Sequence, residues 1–339
     1  MNNILISSSM VYGSLGLTYC KCFEKLGYKV TKFDDTINNN FYNRLLSKFA
    51  WRYSSIKIQD NLLEVIHDKK PDILFIFKGF YYSYEFLSKI KKNFPKIILV
   101  YYNPDNPFNN WHFGNTNNWI IKSIPLYDIH FTWGLFLIDK LKKYGARNVH
   151  YLPFASDENL HYPIKVSKEE YIKYKSDVCF VGSWDKEREK VLNNLLSFDL
   201  KIWGNGWHRA NKQLRLKWQN KEVVGEKFIR VCTASKINLN LVRKQNIPSH
   251  NMRTFELPAC KVFSINTYTE EHSKFFYQNK EQITYKDNED LILKINEYLK
   301  NADKRYRIAQ NSRNNIIKNK HNYFERSKYI VNLLQALKL

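Results

Sequence analysis

The chain has 339 residues, 44% hydrophobic and 25% charged, which is typical of a folded protein of about two domains rather than of a disordered chain. No apolar run approaches the roughly 18 residues that a membrane-spanning helix needs, and the opening Met1–Ile6 lacks the basic segment of a signal peptide. Five cysteines without a CxxC pair argue against a disulfide scaffold, a secreted protein or a zinc ribbon, so we predict a cytoplasmic protein.

The formal net charge of +22 is spread along the chain. Residues 1–150 hold 20 Lys and Arg against 11 Asp and Glu, and the remaining residues hold 34 against 21. Such a surface favours anionic partners, whether anionic substrates, anionic lipid headgroups or nucleic acid. Charge alone does not choose among them.

The first 150 residues alternate short β-branched and aromatic strands with helical segments. Strands are predicted at residues 4–7, 27–30, 73–77, 97–101, 129–132 and 149–152, and helices near residues 17–26, 60–68, 84–92 and 135–144. Strict alternation with apolar strands predicts an α/β domain built on a doubly wound parallel sheet. We therefore place an N-terminal Rossmann-like domain at residues 1–153.

A polar, irregular segment at residues 154–176 interrupts the alternation and is predicted to be a linker. A second series then follows, with strands at 177–182, 200–203, 236–240, 261–265 and 282–285, and helices near 185–196, 226–235, 287–300 and 302–318. The last helix covers about 323–337. These patterns predict a second Rossmann-like domain at 177–320 and a C-terminal helical segment at 321–339 that crosses back to the first domain.

Two glycine-containing turns of the second domain follow predicted strands. After Gly182 the next helix carries Arg188 on its apolar face, where an unpaired guanidinium would cost several kcal/mol to bury; it is either in a buried salt bridge or holds a phosphate near Gly182. The turn at Trp203–Trp207 contains Gly204, which permits close backbone approach. Trp207 either stacks on a base or sugar or belongs to the core.

The segment Ser249–Ala259 concentrates polar and charged groups at a predicted helix start. Pro258 is tolerated only in a first turn, so the helix begins near Thr254 or is kinked. Backbone N–H groups with Arg253 would hold a diphosphate, and Glu256 would accept both hydroxyls of a ribose. The alternative is a surface helix cap. Nine histidines show no metal-ligand spacing and no GxSxG motif is present, so we predict no metal and no serine nucleophile.

Five motifs of the second half, in this order, resemble those of the CgeB-like glycosyltransferases, which belong to the group 1 glycosyl transferases of the GT-B fold. They are Phe180–Gly182 followed by Arg188, Ile202–Trp207, Ala234–Asn240, Asn251–Ala259 and His321–Arg326. The first half is similar more loosely, through Tyr101–Pro107 and Asn148–Ala155.

The resemblance implies two Rossmann-like domains facing a central cleft, with an acceptor site on the first domain and a nucleotide-diphosphate sugar on the second. The residues it implies for the donor are Gly182, Arg188, Gly204, Trp207, Lys236, Asn240, Asn251, Arg253 and Glu256. Glu256 resembles the second glutamate of the paired-glutamate motif of retaining GT-B enzymes, but the first would fall at Pro248, which leaves the stereochemical outcome open.

We therefore predict a metal-independent glycosyltransferase, hexosyl or hexosaminyl, that acts on a bacterial glycan, lipid-linked glycan or protein acceptor. Arg188, Lys236, Arg253 and the backbone near Gly182 would stabilise the leaving diphosphate. Asp105 would be the general base if the reaction inverts. The predicted partners are the donor, the acceptor and, peripherally, an anionic membrane, with no cofactor beyond the co-substrate. The alternatives are a basic nucleic-acid-binding protein, although no recognised motif is present, and a nucleotide-sugar epimerase of the same architecture.

Overall fold

The structure is a computed structural model that describes residues 2–36, 51–109 and 116–337. The chain divides into two compact units. One contains the residues up to Pro153 together with those from Arg326 onwards, and the other runs from Phe154 to Glu325. Residues 154–176, expected to be a linker, are thus part of the second unit.

The first unit is built on a parallel sheet of short apolar strands. Its strands are β1 (Asn3–Ser8), β2 (Lys29–Asp34), β3 (Ile73–Phe77), β4 (Ile98–Tyr102), β5 (Ile129–Thr132) and β6 (Val149–Tyr151), in the order β2-β1-β3-β4-β5-β6. Every residue of β3 and β4 is buried, as expected for central strands covered by helices on both faces.

Helices connect these strands, and serine side chains begin two of them. The helices are α1 (Leu15–Lys25), α2 (Trp51–Lys69), α3 (Tyr84–Asn93), α4 (Asn118–Ser123) and α5 (Ile138–Lys143). The hydroxyl of Ser14 accepts the N–H of Leu17 in the first turn of α1, and that of Ser83 accepts the N–H of Phe86 in α3. The described part of α2 begins nine residues before the predicted helix at residue 60.

The second unit is a five-stranded parallel sheet. Its strands are β7 (Ser176–Val181), β8 (Leu200–Trp203), β9 (Ser235–Asn240), β10 (Ser264–Thr267) and β11 (Ile283–Tyr285), in the order β11-β10-β9-β7-β8. Its helices are α6 (Lys168–Tyr174), α7 (Lys186–Asn193), α8 (Lys212–Lys217), α9 (Glu226–Ala234), α10 (Arg253–Ala259), α11 (Asn288–Lys300) and α12 (Ala302–Lys318), and α13 (Tyr323–Ala336) ends the chain.

Two apolar clusters cover the two faces of this second sheet. Leu192 of α7 and Ile295 of α11 belong to one cluster, and Phe228 of α9 and Leu257 of α10 belong to the other. The prediction of two α/β units, each with a parallel sheet and interleaved helices, is confirmed. Because the carboxyl ends of parallel strands share one edge, side chains that follow those ends are brought together, and ligands bind preferentially there.

Two local predictions were wrong. The strand expected at 261–265 begins at Ser264, because Lys261 turns the chain out of α10 with a left-handed φ of 58°. The segment expected to be irregular contains α6, which Ser167 and Glu170 begin with reciprocal side-chain to backbone hydrogen bonds.

Candidate functional site

Arg188 joins two strands at the carboxyl edge of the second sheet. Its Nη1 donates to the carbonyl oxygen of Ser183, just after β7, and its Nη2 to that of Leu241, just after β9, each at 3.0 Å. Its side chain is only 13% exposed and lies against Asp185, with Nε 3.3 Å from Oδ2. Burial, then the charge of Arg243, lowers the pKa of Arg188 to about 10, so the guanidinium stays charged at neutral pH.

A second guanidinium shares the same carboxylate. Nε of Arg243 lies 3.4 Å from Oδ2 of Asp185, while Oδ1 of Asp185 accepts the N–H of Arg188 and begins α7. One buried carboxylate therefore faces two guanidinium groups, and the positive charge of Arg253 is close enough to lower the pKa of Arg188 further. Such a cluster has an excess of positive charge and suits a phosphate group. The sequence analysis missed Arg243, although it stands three residues after the end of β9.

Arg253 and Glu256 pair with each other in the first turn of α10. Nη1 of Arg253 donates to Oε2 of Glu256, and the guanidinium lies 4.2 Å from the centre of the Phe228 ring. Glu256 is 3% exposed, whereas the Arg253 side chain is 30% exposed. One oxygen of the buried carboxylate is therefore paired with a guanidinium that is itself partly exposed.

His161 approaches the other oxygen of Glu256. Its Nδ1 accepts the N–H of Asp157 at 3.0 Å, so Nε2 carries the proton of the neutral ring and lies 3.8 Å from Oε1 of Glu256. Burial, then Arg253, lowers the pKa of His161 to about 4, and the ring is neutral at pH 7. Sequence reasoning missed this residue because it lies in the segment interpreted as a linker.

Asn240 and Asn251 bind one another. Nδ2 of Asn251 donates to Oδ1 of Asn240 at 2.8 Å, and Oδ1 of Asn251 accepts the N–H of Thr254 at 3.2 Å. The hydrogen bond between the two asparagines connects the start of α10 to the end of β9. Both asparagines lie at the carboxyl edge of the second sheet, as the predicted donor site requires. Their side-chain hydrogen bonds, however, hold the start of α10.

Trp207 and Gly204 have structural positions. The Trp207 side chain is fully buried, packs edge-on against Phe180 at 5.9 Å and donates from Nε1 to the carbonyl oxygen of Gly182 at 2.9 Å. Stacking of Trp207 on a ligand is therefore wrong, and the alternative of a core tryptophan holds. Gly204 packs against the backbone of Gly182, so its close approach is to the protein chain.

Lys236 lies at the opposite edge of the sheet. It is the second residue of β9, and its Nζ pairs at 2.8 Å with Asp177 near the start of β7. Asn240, at the other end of the same strand, marks the edge where Arg188 lies. With a rise of about 3.3 Å per residue, the four-residue separation of Lys236 and Asn240 places Lys236 too far from Arg188 and Arg243 to bind the same phosphate group. Lys236 is therefore not part of the candidate donor site.

The first unit also places charged side chains at its carboxyl edge. Asp105, after β4, pairs at 2.9 Å with Lys78, which follows β3 in a left-handed conformation with φ 64°. Asp35, after β2, is 8% exposed and accepts a hydrogen bond from the Ser7 hydroxyl at 3.0 Å. Burial raises the pKa of Asp35 to about 7.

The described residues contain neither a metal-binding cluster nor a membrane-spanning helix. No group of three or more His, Cys, Asp or Glu side chains in residues 2–36, 51–109 and 116–337 is placed to hold a metal ion. No helix in the same ranges is long and apolar enough to cross a membrane.

Two parallel-sheet α/β units with interleaved helices in one chain match the two-domain architecture of GT-B glycosyltransferases. Residues 186–332 match the model of a family described as glycosyl transferase-like. That range contains Arg188, Arg243, Arg253 and Glu256. No curated protein matches the chain in sequence.

Solved structures of the same fold match nearly the whole chain. Sucrose-phosphate synthase from Thermosynechococcus elongatus has a TM-score of 0.71 at 10% identity, over 99% of each chain. HepE of Anabaena in complex with UDP-glucose has a TM-score of 0.65 at 12% identity, over 98% of this chain and 100% of that chain. A glycosyltransferase from Rickettsia africae ESF-5 has a TM-score of 0.65 at 15% identity, over 99% of this chain and 98% of that chain. At these identities the similarity establishes the fold alone.

Proposed function

We propose that the protein is a glycosyltransferase that moves a sugar from a nucleotide-diphosphate sugar to an acceptor hydroxyl. The observation that carries the proposal is the pair Arg188 and Arg243, which share the single carboxylate of Asp185 at the carboxyl edge of the second sheet. The cluster lies within the range matched by the glycosyl transferase-like model. The bound UDP-glucose of the Anabaena protein supports a nucleotide sugar as donor.

The reaction requires charge stabilisation at the leaving diphosphate. The bond between the sugar's anomeric carbon and the β-phosphate oxygen breaks, and the anomeric carbon bonds to the acceptor oxygen, whose proton is lost. Negative charge grows on the diphosphate, so cations beside it lower the barrier most. We assign this role to Arg188, Arg243 and Arg253, and propose that these guanidinium groups act there in place of a metal ion.

The remaining roles follow the resemblance to CgeB-like enzymes, which we retain as the narrower hypothesis. Glu256 would bind the ribose, and the first unit would hold the acceptor, a glycan, lipid-linked glycan or protein. The sugar that we propose is transferred is a hexosyl or hexosaminyl group. Asp105 is the proposed base of an inverting reaction, and its ion pair with Lys78 fixes the carboxylate at the sheet edge.

The test is a thermal-shift screen with UDP, GDP, CDP and ADP and their hexose and N-acetylhexosamine derivatives, followed by a transfer assay with the best donor. Stabilisation by one nucleoside diphosphate and incorporation of sugar into an acceptor fraction are expected, with activity unchanged by EDTA. Release of an isomerised sugar without acceptor would instead indicate an epimerase. Salt-resistant binding of nucleic acid without any nucleotide-sugar binding would indicate the other alternative.

The dispersed positive charge supports a peripheral association with anionic membranes as part of the same proposal. Basic side chains near such a surface contribute about 1 kcal/mol each. Co-sedimentation with phosphatidylglycerol vesicles at low salt, lost at high salt and absent with phosphatidylcholine vesicles, is the expected result. Absence of binding at low salt would contradict this part of the proposal without affecting the donor site.

A further inference from the structure

Arg253 and Glu256, the side chains proposed to bind the diphosphate and the ribose of the donor, pair with each other. Arg253 donates to Glu256 within one turn of α10. Because Glu256 is 3% exposed and its Oε2 already accepts from that guanidinium, a ribose hydroxyl cannot take this oxygen while Arg253 stays in place. The two side chains cannot keep this contact and also serve the donor as proposed.

Their surroundings indicate which partner moves. Glu256 is enclosed, with the Nε2–H of His161 3.8 Å from its second oxygen. The Arg253 side chain is 30% exposed, and its buried Nε finds no hydrogen-bond partner among the residues that the structure describes. Its guanidinium is held on one side by the ring of Phe228. Of the two side chains, Arg253 is therefore the one expected to move when a ligand binds.

We propose that the Arg253–Glu256 ion pair is exchanged on donor binding: the diphosphate takes Arg253, and the uncovered carboxylate of Glu256 takes the ribose hydroxyls. This inference rests on the proposed function and deepens it, since it makes recognition of the two halves of the nucleotide interdependent. A ligand with only the ribose or only the diphosphate would separate the ion pair and replace the partner of one side chain alone. The other side chain would lose its counter-charge, which is costly. A nucleoside diphosphate supplies both replacements together.

The exchange predicts opposite effects of one substitution on two ligand fragments. Glu256→Gln weakens the hold on Arg253, so pyrophosphate should bind about tenfold tighter while uridine binds at least about tenfold more weakly. Arg253→Gln uncovers Glu256, so uridine should bind tighter and pyrophosphate more weakly. Lys236→Gln removes a cation at the opposite sheet edge and should change neither. Affinities are measured by calorimetry or ligand-observed NMR, with melting temperatures to show that each variant folds.

A measurement on the unmodified protein keeps the test independent of the variants. Saturating pyrophosphate should raise the affinity for uridine, because it draws Arg253 away from Glu256. Independent binding of the two fragments, or weaker pyrophosphate binding to Glu256→Gln, overturns the exchange even where UDP binds normally. If no nucleoside diphosphate binds the unmodified protein, the proposed function itself fails, and the exchange fails with it.

Discussion

The backbones of Gly204 and Gly182 meet at the carboxyl edge of the second sheet. A Cβ atom built on Gly204 would lie 2.3 Å from the carbonyl oxygen of Gly182, and Gly204 has φ +130°. The same carbonyl oxygen accepts the indole N–H of Trp207. The turn after β8 thus packs against the turn after β7, which leads into the helix α7 that carries Arg188.

We expect Gly204→Ala to destabilise the protein by about 3 kcal/mol or more, since a methyl group would overlap backbone atoms that cannot move as a flexible side chain can. Gly27→Ala is the matched control: Gly27 also has positive φ, +87°, but nothing lies within 4 Å of its Cβ position. That variant should lose only about 1 kcal/mol. Chemical denaturation of both variants checks the difference, and equal losses would show that backbone strain alone matters.

Lys261→Gly should stabilise the protein by roughly 0.5 kcal/mol. Lys261 occupies the position after α10 with φ 58°, where glycine is preferred because it has no Cβ. The contact of its ammonium with the Tyr306 ring at 4.7 Å offsets part of that gain. Lys300→Gly, at the end of α11, should be destabilising. A fall in melting temperature for Lys261→Gly would mean that the Tyr306 contact outweighs the backbone strain.

Arg188→Gln and Lys236→Gln separate the two edges of the second sheet. Each removes one positive charge, but only Arg188 lies beside Asp185 and Arg243. We expect the donor kcat/KM of Arg188→Gln to fall about 100-fold or more, because charged hydrogen bonds to the diphosphate are lost. Lys236→Gln should stay within about twofold of the unmodified protein. A large loss in both would point to long-range electrostatics rather than contact.

Local patterns predicted the fold well because strands and helices differ in apolar period. The helix Ala302–Lys318 was expected with the bounds observed, and the alternation of elements identified both sheets. The site was predicted in part. The sequence could not decide whether Trp207 stacks on a ligand or belongs to the core, because a tryptophan in a glycine-containing turn after a strand is compatible with both roles. His161 reaches Glu256 only through the packing of residues 154–176 within the second unit, and no local period encodes that contact.

Asp35 should make folding stability depend on pH. Its pKa is about 7 in the folded chain, raised by burial, against an ordinary value of 3.8. Between about pH 4 and 7 the folded state therefore keeps a proton that the unfolded state has lost, and stability falls as the pH rises through this window and levels off above it. Among residues 2–36, 51–109 and 116–337, the groups that face or influence Asp35 are Ser7, Tyr81, Tyr82, Asp34 and Lys78.

Asp35→Asn cannot ionise, so its free energy of unfolding should rise relative to that of the unmodified protein as the pH increases from 4 to 8. Three pKa units correspond to about 4 kcal/mol at most, and a gain of about 2 kcal/mol or more at pH 8 over pH 4 is expected. Asp60→Asn, on the exposed face of α2, is the control and should show a flat difference. Urea denaturation at four pH values measures both variants, and a pH-independent difference for Asp35→Asn would show that folding does not raise the pKa of this carboxyl.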